Sequence, residues 1–334
     1  MREVDTIIIG GGPAGSTCAR ELVANGHDVL VLDKAKFPRL KLCAGWITGK
    51  VMRDLAFTAA DYPHGILALD VRTHFFKLPF ALNWFPTPGP DYSIRRVEFD
   101  AWLLKRSGAE VIEHEVKSIR RDGGRYIVDD AFSCRNLVGA GGTMCPVRRA
   151  IFPDSRMKWR QIVTLEKEFE YPQRSDTCHL YFFRRGLMGY AWIVPKGNGF
   201  VNIGLGGKSR YFKDKGEKIH DHFRAFLADL VADGELDAAT AADLQETGHP
   251  YFLYSYKGDV KRDNCFLIGD SAGLASIDLG EGIGPAVESA LMTAREILGT
   301  GIYRKQDITM FSFGGMVGRL MRRISSRHLA PAGT

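Results

Sequence analysis

The chain opens on a run that permits few folds. Thr6-Ile7-Ile8-Ile9 is apolar and β-branched, and Gly10-Gly11-Gly12-Pro13-Ala14-Gly15 follows without a break. Such a run suits a parallel strand buried on both faces. The glycines then have separate tasks. Gly10 permits a tight turn, Gly12 lets backbone N–H groups approach a pyrophosphate, and Gly15 lets a helix pack close to the strand. Ala14 to Ala24 reads as that helix, stopped by Asn25-Gly26. Its N-terminus, with Pro13 and Ala14 among the cofactor-binding residues, carries partial positive charge suited to phosphate. Val29 to Leu32 reads as a second strand. Asp33, at its end, stands 18 residues beyond Gly15, where a carboxylate meets ribose hydroxyls. The whole is a βαβ unit that grips an ADP-ribose moiety, with Asp33 and the following Lys34 at the ribose end. An acid at 33 disfavours a 2′-phosphate.

A second signature lies about 250 residues further on. Cys265 to Ile268 reads as a short buried strand. Gly269-Asp270 ends it, Ser271-Ala272-Gly273 makes a small-residue turn, and Gly280-Glu281-Gly282-Ile283 leads into a helix from Ala286 to Ile297. Small residues bring backbone against a ligand, and Asp270 can accept from hydroxyls. A second helix N-terminus suits the polar pyrimidine edge of a flavin. Two nucleotide signatures at opposite ends of one chain imply one long cofactor held from both sides. That cofactor is FAD, and the chemistry it implies is redox.

Four stretches together resemble the FAD-dependent oxidoreductases of the p-hydroxybenzoate hydroxylase-type fold, and within them the geranylgeranyl reductase-like family. The resemblance covers roughly residues 4 to 300. The N-terminal fingerprint is the first stretch. Arg39-x-Lys41-x-Cys43-Ala44-Gly45-Trp46 is similar to the family's Arg-x-Lys-x-Cys-Gly-Gly segment. Tyr190-Ala191-Trp192-Ile193-Val194-Pro195, followed by Gly204-Leu205-Gly206, resembles its active-site motif. Gly269-Asp270 with Gly280-Glu281-Gly282 resembles its second FAD motif. The resemblance implies that Arg39, Lys41, Cys43, Ala44, Gly45, Arg96, Val116, Ala140 and Gly141 join the two signatures in holding FAD. It implies that Cys43, Tyr190 and Trp192 face the substrate. Two departures stand out. The middle motif reads Ala140-Gly141-Gly142 where Ala-Asp-Gly is usual, which weakens a direct NADPH reaction of the hydroxylase kind. Ile277 replaces the usual proline. The chain is also short after residue 300.

The expected fold is α/β: a Rossmann-like FAD-binding domain, discontinuous in sequence, with an antiparallel β-sheet substrate domain. The first comprises 1–70, 96–156 and 257–300, the second 71–95 and 157–256, and 301–334 forms a C-terminal helical segment. Ala109 to Ile112 and Val116 to Ile119 read as strands, and Arg96 opens a helix. Ile162 to Leu165, Leu180 to Phe183 and Phe200 to Ile203 read as antiparallel strands. Glu217 to Val231 is a helix with Ile219, Phe223, Phe226, Leu227 and Leu230 on one face and His220 and His222 exposed. Phe75, Phe76, Phe80, Trp84 and Phe85 form an aromatic stretch that, with Tyr181, Phe182, Phe183, Tyr190 and Trp192, lines an apolar tunnel or fills a sheet core. Phe313, Met316, Val317, Leu320, Met321 and Ile324 recur at helical spacing beside four arginines. That pattern fits a helix lying on a membrane or one docked on its own domain.

Bulk properties narrow the function further. Net charge is +6, from 45 basic and 39 acidic side chains, with no dense basic block, which argues against nucleic acid. The six cysteines form no Cys-x-x-Cys pair and no zinc spacing, as expected of reduced thiols in a cytoplasmic protein that holds no metal. No apolar stretch is long enough to cross a membrane, so membrane contact would be peripheral, through the C-terminal segment. The resemblance implies reduction of a carbon–carbon double bond in an isoprenoid or other apolar substrate by hydride from reduced flavin. Trp192 and Tyr190 would stabilise developing positive charge. NAD(P)H or a ferredoxin are the candidate donors, and no side chain stands out as the acid. A flavin monooxygenase or halogenase acting on an aromatic substrate, and a non-catalytic flavin carrier, are the alternatives.

Overall fold

Glycine turns and alternating apolar residues divide the chain into two sheets. The computed structural model describes residues 1–75, 89–153, 160–172 and 175–309. In chain order the strands are β1 (Arg2–Ile9), β2 (Val29–Asp33), β3 (Trp46–Thr48), β4 (Leu67–Phe75), β5 (Asp91–Ser93), β6 (Glu110–Glu113), β7 (Ile119–Asp122) and β8 (Arg125–Val128). They continue as β9 (Phe132–Gly139), β10 (Gln161–Glu170), β11 (Thr177–Phe182), β12 (Gly189–Pro195), β13 (Phe200–Lys208), β14 (Thr247–Phe252), β15 (Lys261–Arg262) and β16 (Cys265–Leu267). The helices are α1 (Pro13–Ala24), α2 (Gly49–Asp54), α3 (Arg96–Arg106), α4 (Pro146–Ile151), α5 (Ser209–Lys215), α6 (Ile219–Ala232), α7 (Ala238–Asp243) and α8 (Ile283–Ile297).

The first sheet has the order β15-β16-β9-β1-β2-β6, with the β7–β8 hairpin attached to β9. From β16 to β6 its strands are parallel. Parallel strands are covered on both faces, and Ile7 and Ile8 of β1 are accordingly 0% exposed. The carboxyl ends of four neighbouring strands come into line. Gly10 N–H donates to Leu32 O at 2.8 Å, Ala140 N–H to Ile9 O at 2.8 Å, and Ile268 N–H to Gly139 O at 3.0 Å. Gly10, Asp33, Ala140 and Gly269 therefore emerge together at the edge where open α/β sheets bind ligands. Helices α1 and α8 converge there. A Cβ on Gly269 would lie 3.1 Å from Ala14 Cβ and 3.2 Å from Ala286 Cβ, so this glycine is pinched between the two helices.

The second sheet has the order β14-β10-β13-β12-β11-β4-β5-β3. It is antiparallel except at β11–β4, which is parallel. Side chains alternate along each strand, so register decides which residues share a face. Leu165, Ala191, Ile203 and Leu205 pack against Phe223, Phe226, Leu227 and Leu230 of α6. The opposite face carries two rows across the strands: Glu166, Gly204, Trp192 and Leu180, then Thr164, Gly206, Tyr190 and Phe182. The expected α6 stripe thus covers one face and leaves the motif residues on the other.

Several expectations need correction. Val116 to Ser118 is not strand, and β7 begins only at Ile119, because the Asp129 carboxylate takes the Lys117 and Ser118 N–H groups at 3.1 and 2.6 Å. The domain boundary placed at residue 70 cuts through β4, and β3 also belongs to the second sheet. Strand β11 stops before Phe183, whose φ of 58° starts the hairpin turn. His222 is half-buried rather than exposed: it accepts the edge of Phe212 at 5.6 Å and bonds Glu217 at 2.8 Å. Phe76, Phe80, Trp84, Phe85 and the apolar residues from Phe313 to Ile324 lie outside the described residues.

A Cβ on Gly15 would overlap the Gly10 carbonyl oxygen, a backbone atom that cannot step aside. Gly15→Ala should therefore destabilise the protein by about 3 kcal/mol, the upper end for overpacking. A thermal unfolding midpoint within a degree of the parent would refute this packing account.

Candidate functional site

The nucleotide end is shaped by what is missing. Gly10 holds a φ of 110° and has no room for a side chain, which would meet the Ala140 carbonyl. Pro13 opens α1, and no side chain caps its first turn, so its N-terminal amides face outward for an anion. Asp33 is 9% exposed. Its Oδ2 accepts Gly11 N–H at 2.7 Å and its Oδ1 accepts Ala35 N–H at 2.9 Å, which fixes the carboxylate at the strand end. Lys34 is exposed. Val116 lies in the core of the first sheet.

Gly141 is tightly surrounded. A Cβ there would already be 3.3 Å from Cys145 Cα and 3.4 Å from Pro146 Cδ. Beside this turn three buried polar atoms have no partner among the described residues: Thr143 Oγ1, Arg148 Nη1 and Ser271 Oγ. Orphaned groups of this kind mark a place where a ligand supplies the missing bonds.

The segment from Arg39 to Gly45 passes between the two sheets. Arg96, at the start of α3, holds Asp100 through two bonds of 2.7 and 2.8 Å, and Arg39 adds a third at 3.1 Å. Asp100 is 0% exposed, so it is paired by necessity. Arg96 also bonds the Cys43 side chain. Lys41 Nζ sits 2.6 Å from His249 Nε2. Burial lowers both groups, and the Lys41 charge pushes His249 further down, so His249 is the neutral acceptor and Lys41 the donor.

The Cys43–Gly45 turn is gripped from the second sheet by three polar side chains. The Glu166 carboxylate accepts Cys43 N–H. Asn202 Nδ2 donates to Cys43 O at 3.5 Å, and Lys196 Nζ donates to Ala44 O. Asn202 Oδ1 in turn accepts Trp192 Nε1–H at 2.7 Å. The Trp192 ring lies over Gly204, where any Cβ would strike it and would also come within 2.8 Å of Glu166 Cβ. That is why the tryptophan motif needs a glycine on the next strand. Tyr190 donates to Leu279 O, which ties the sheet to the loop before α8. Rings of Phe75, Phe182, Tyr190 and Trp192 follow one another with centroids 5.3, 5.1 and 5.6 Å apart.

Cys43, Tyr190 and Trp192 thus come together, as do Gly269, Asp270, Gly280, Gly282 and Ile283 at the start of α8. One expectation changes. The first amides of α8 do not stand open, because Glu281 turns its carboxyl onto them, with Gly284 N–H at 2.6 Å from Oε1 and Ile283 N–H also bonded. The residues missed in the sequence are Glu166, Lys196, Asn202, His249 and Tyr251. Each is a single polar or aromatic residue on a strand or, for Lys196, just past the end of β12, and only the pairing of distant strands places it here. Burial pushes the Glu166 carboxyl up to about 7, while Lys196 is lowered by burial.

Comparison with known proteins fits this geometry. A family model described as FAD dependent oxidoreductase matches residues 5–76. An uncharacterised protein of Methanosarcina barkeri is 30% identical, covering 92% of this chain and 79% of its own. A digeranylgeranylglycerophospholipid reductase of Methanosphaera stadtmanae is 28% identical over 88% of this chain and 77% of its own. The chain belongs to the geranylgeranyl reductase-like family of FAD-dependent oxidoreductases. A menaquinone reductase of Mycobacterium tuberculosis is 28% identical over 87% of this chain and 75% of its own. Two solved structures share the fold. A geranylgeranyl bacteriochlorophyll reductase-like protein of Thermoplasma acidophilum has a TM-score of 0.73 at 18% identity, covering 98% of this chain and 84% of its own. A myxobacterial chondrochloren halogenase has a TM-score of 0.68 at 22% identity, over 98% and 82%. Membership makes FAD the cofactor of this enzyme. The side-chain-free cradle at Gly10 and Gly15 and the orphaned atoms by Gly141 fit it. Among the described residues no group of His, Cys, Asp or Glu could hold a metal, and no helix is long and apolar enough to cross a membrane.

Two tests follow. Asp33→Ala removes the acceptor of a buried N–H and the carboxylate expected to meet the ribose, so FAD should bind about 10- to 100-fold more weakly, the loss of about 1–3 kcal/mol; flavin fluorescence on titration measures it. Glu166 has a folded pKa raised to about 7 from 4.5, so the folded state binds the extra proton and stability declines as pH rises from 4.5 to 7. Glu166→Gln should lose that decline, seen as a flatter denaturant midpoint against pH; an unchanged slope would count against a protonated Glu166.

Proposed function

We propose that this enzyme hydrogenates carbon–carbon double bonds in the prenyl chain of a lipid or quinone. One observation carries the reading. The polar edges of the motif aromatics are consumed inside the protein, Tyr190 by Leu279 O and Trp192 by Asn202 Oδ1. Their rings therefore line the site as apolar surface, continued by Phe182 and Phe75. The printed names of the relatives, a geranylgeranyl-lipid reductase and a menaquinone reductase, support a substrate of this chemistry.

Reduced FAD, when bound, supplies the hydride. The chain's own residues do the rest. The turn at Cys43 to Gly45 is fixed by Glu166, Asn202 and Lys196, so the Cys43 side chain holds one position beside Arg96. Trp192 and Tyr190 exclude water, and their faces stabilise positive charge on a tertiary carbon by about 2 kcal/mol where water is absent. Their ring centroids are 5.6 Å apart, which keeps the two side by side on one stretch of the wall. The donor that reduces the flavin is NAD(P)H or a ferredoxin. Peripheral membrane contact through the C-terminal segment would bring the enzyme to its substrate.

The test is anaerobic. Photoreduced enzyme mixed with geranylgeranyl lipids and prenylated quinones should regain its oxidised flavin spectrum while mass spectrometry finds a product heavier by two hydrogens. Trp192→Leu should retain FAD and slow this step about 10- to 30-fold, the equivalent of about 2 kcal/mol. Product formation that depends on oxygen uptake would instead assign the site to a monooxygenase or halogenase, and no reoxidation by any of these lipids would sink the proposal.

A further inference from the structure

A double bond that becomes a single bond takes up a hydride and a proton, and the aromatic wall offers no proton. Two carboxyls, beneath the Cys43 turn and at the start of α8, are the candidates. Glu166 is 3% exposed and committed beneath the Cys43 turn, where Lys196 and Lys41 also face it. Glu281 is different. Its main chain is braced by Ser276, whose N–H donates to Glu281 O at 2.8 Å and whose Oγ accepts Glu281 N–H at 3.0 Å. Gly280 N–H donates to Ser276 O at 2.9 Å, and Tyr190 holds Leu279 O, so the loop carrying Glu281 cannot swing freely. Oε1 is occupied by the Gly284 amide at 2.6 Å. Oε2 is buried and has no partner among the described residues.

We propose that Glu281 is the acid that delivers the proton to the substrate, through Oε2. The assignment rests on the double-bond reduction proposed above. The reductant is the reduced flavin, which gives the hydride to one carbon. The O–H bond at Oε2 breaks as the new C–H bond forms at the other carbon, and Glu281 is left as a carboxylate that solvent reprotonates. The Gly284 amide keeps Oε1 as the acceptor, which places the proton on the unpartnered oxygen. The groups around it set when that proton is present. Asp270, from the turn after β16, and Glu288, from the second turn of α8, oppose ionisation. The α8 amides favour it, and Lys50 draws off part of the Glu288 charge at 2.6 Å. Tyr190 faces Glu281 from β12, and Tyr251 presses its hydroxyl on Gly280 from β14. Burial dominates and pushes the Glu281 carboxyl up to about 8, so the group is an acid at neutral pH.

The experiment compares the FAD-loaded wild type with Glu281→Gln, an isosteric change, and with Glu281→Asp. Infrared spectra should show a carboxylic acid C=O band at pH 7 that fades near pH 8 and is missing from Glu281→Gln. With reduced enzyme and a geranylgeranyl lipid, Glu281→Gln should lose on the order of 10²- to 10⁴-fold in the reduction step while FAD content holds. The wild-type rate should fall above about pH 8, the residual Glu281→Gln rate should not, and Glu281→Asp should recover part of the activity. A Glu281→Gln enzyme that matches the wild type, or one that keeps the alkaline fall, overturns the assignment and leaves the reductase reading standing. A wild type that saturates no prenyl lipid overturns both, and the infrared band then shows only that the group is protonated.

Discussion

The structure depends on one close contact. Gly269 sits between Ala14 of α1 and Ala286 of α8, each of its possible Cβ distances near 3.1 Å. Helix α1 belongs to the N-terminal fingerprint and α8 to the second signature, so segments about 250 residues apart touch directly. A side chain here would press on both helix starts, which would have to give by a few tenths of an ångström, and it would have to adopt a φ of 57° that favours glycine. The parallel pairing of β16 with β9, and of β9 with β1, carries the same constraint through the sheet. Long-range pairing of this kind is paid for in loop entropy, and it is recovered only when both signatures close on a common centre.

A second constraint acts between the sheets. The turn from Cys43 to Gly45 has its carbonyls and amides bound by Lys196, Asn202 and Glu166, all from the second sheet. Buried charges are weak sources of stability, since desolvation offsets most of their attraction. Their effect here is positional. Three polar side chains, Glu166 of β10, Asn202 of β13 and Lys196 just after β12, fix the one segment that carries Lys41 and Cys43, and Gly204 leaves the gap into which Trp192 folds. Positioning by polar groups beneath the turn lets the surface above it stay apolar.

The sequence made the βαβ unit, the second signature and the aromatic motif legible because each is local: strand, turn and helix follow within a few residues. The α6 stripe was legible for the same reason. What stayed hidden depends on register between distant strands. Glu166 looks like one acid among several on β10, and only its pairing opposite Gly204 brings it under Cys43. His249 and Tyr251 lie on β14, whose partner β10 is far away in sequence. Val116 to Ser118 looked like strand by composition, but the Asp129 side chain competed for its amides. The place of β3 in the second sheet was equally invisible, since a three-residue strand carries almost no periodicity.

The same fold serves reductases and halogenases, so the fold alone does not choose a chemistry. The choice lies in how polar groups are spent. A site that handles oxygen or halide needs polar atoms free to meet them. Here Tyr190 and Trp192 have given theirs to Leu279 and Asn202, and Lys196 has given its charge to Ala44 O. A side chain at Gly141 would ask Cys145 and Pro146 to give by a few tenths of an ångström. Among the described residues Glu281 Oε2, beside the start of α8, is buried without a hydrogen-bond partner, and the proposed reaction gives it the proton. An apolar wall with a single acid at its edge suits a reaction that asks the protein for little beyond exclusion of water and one proton.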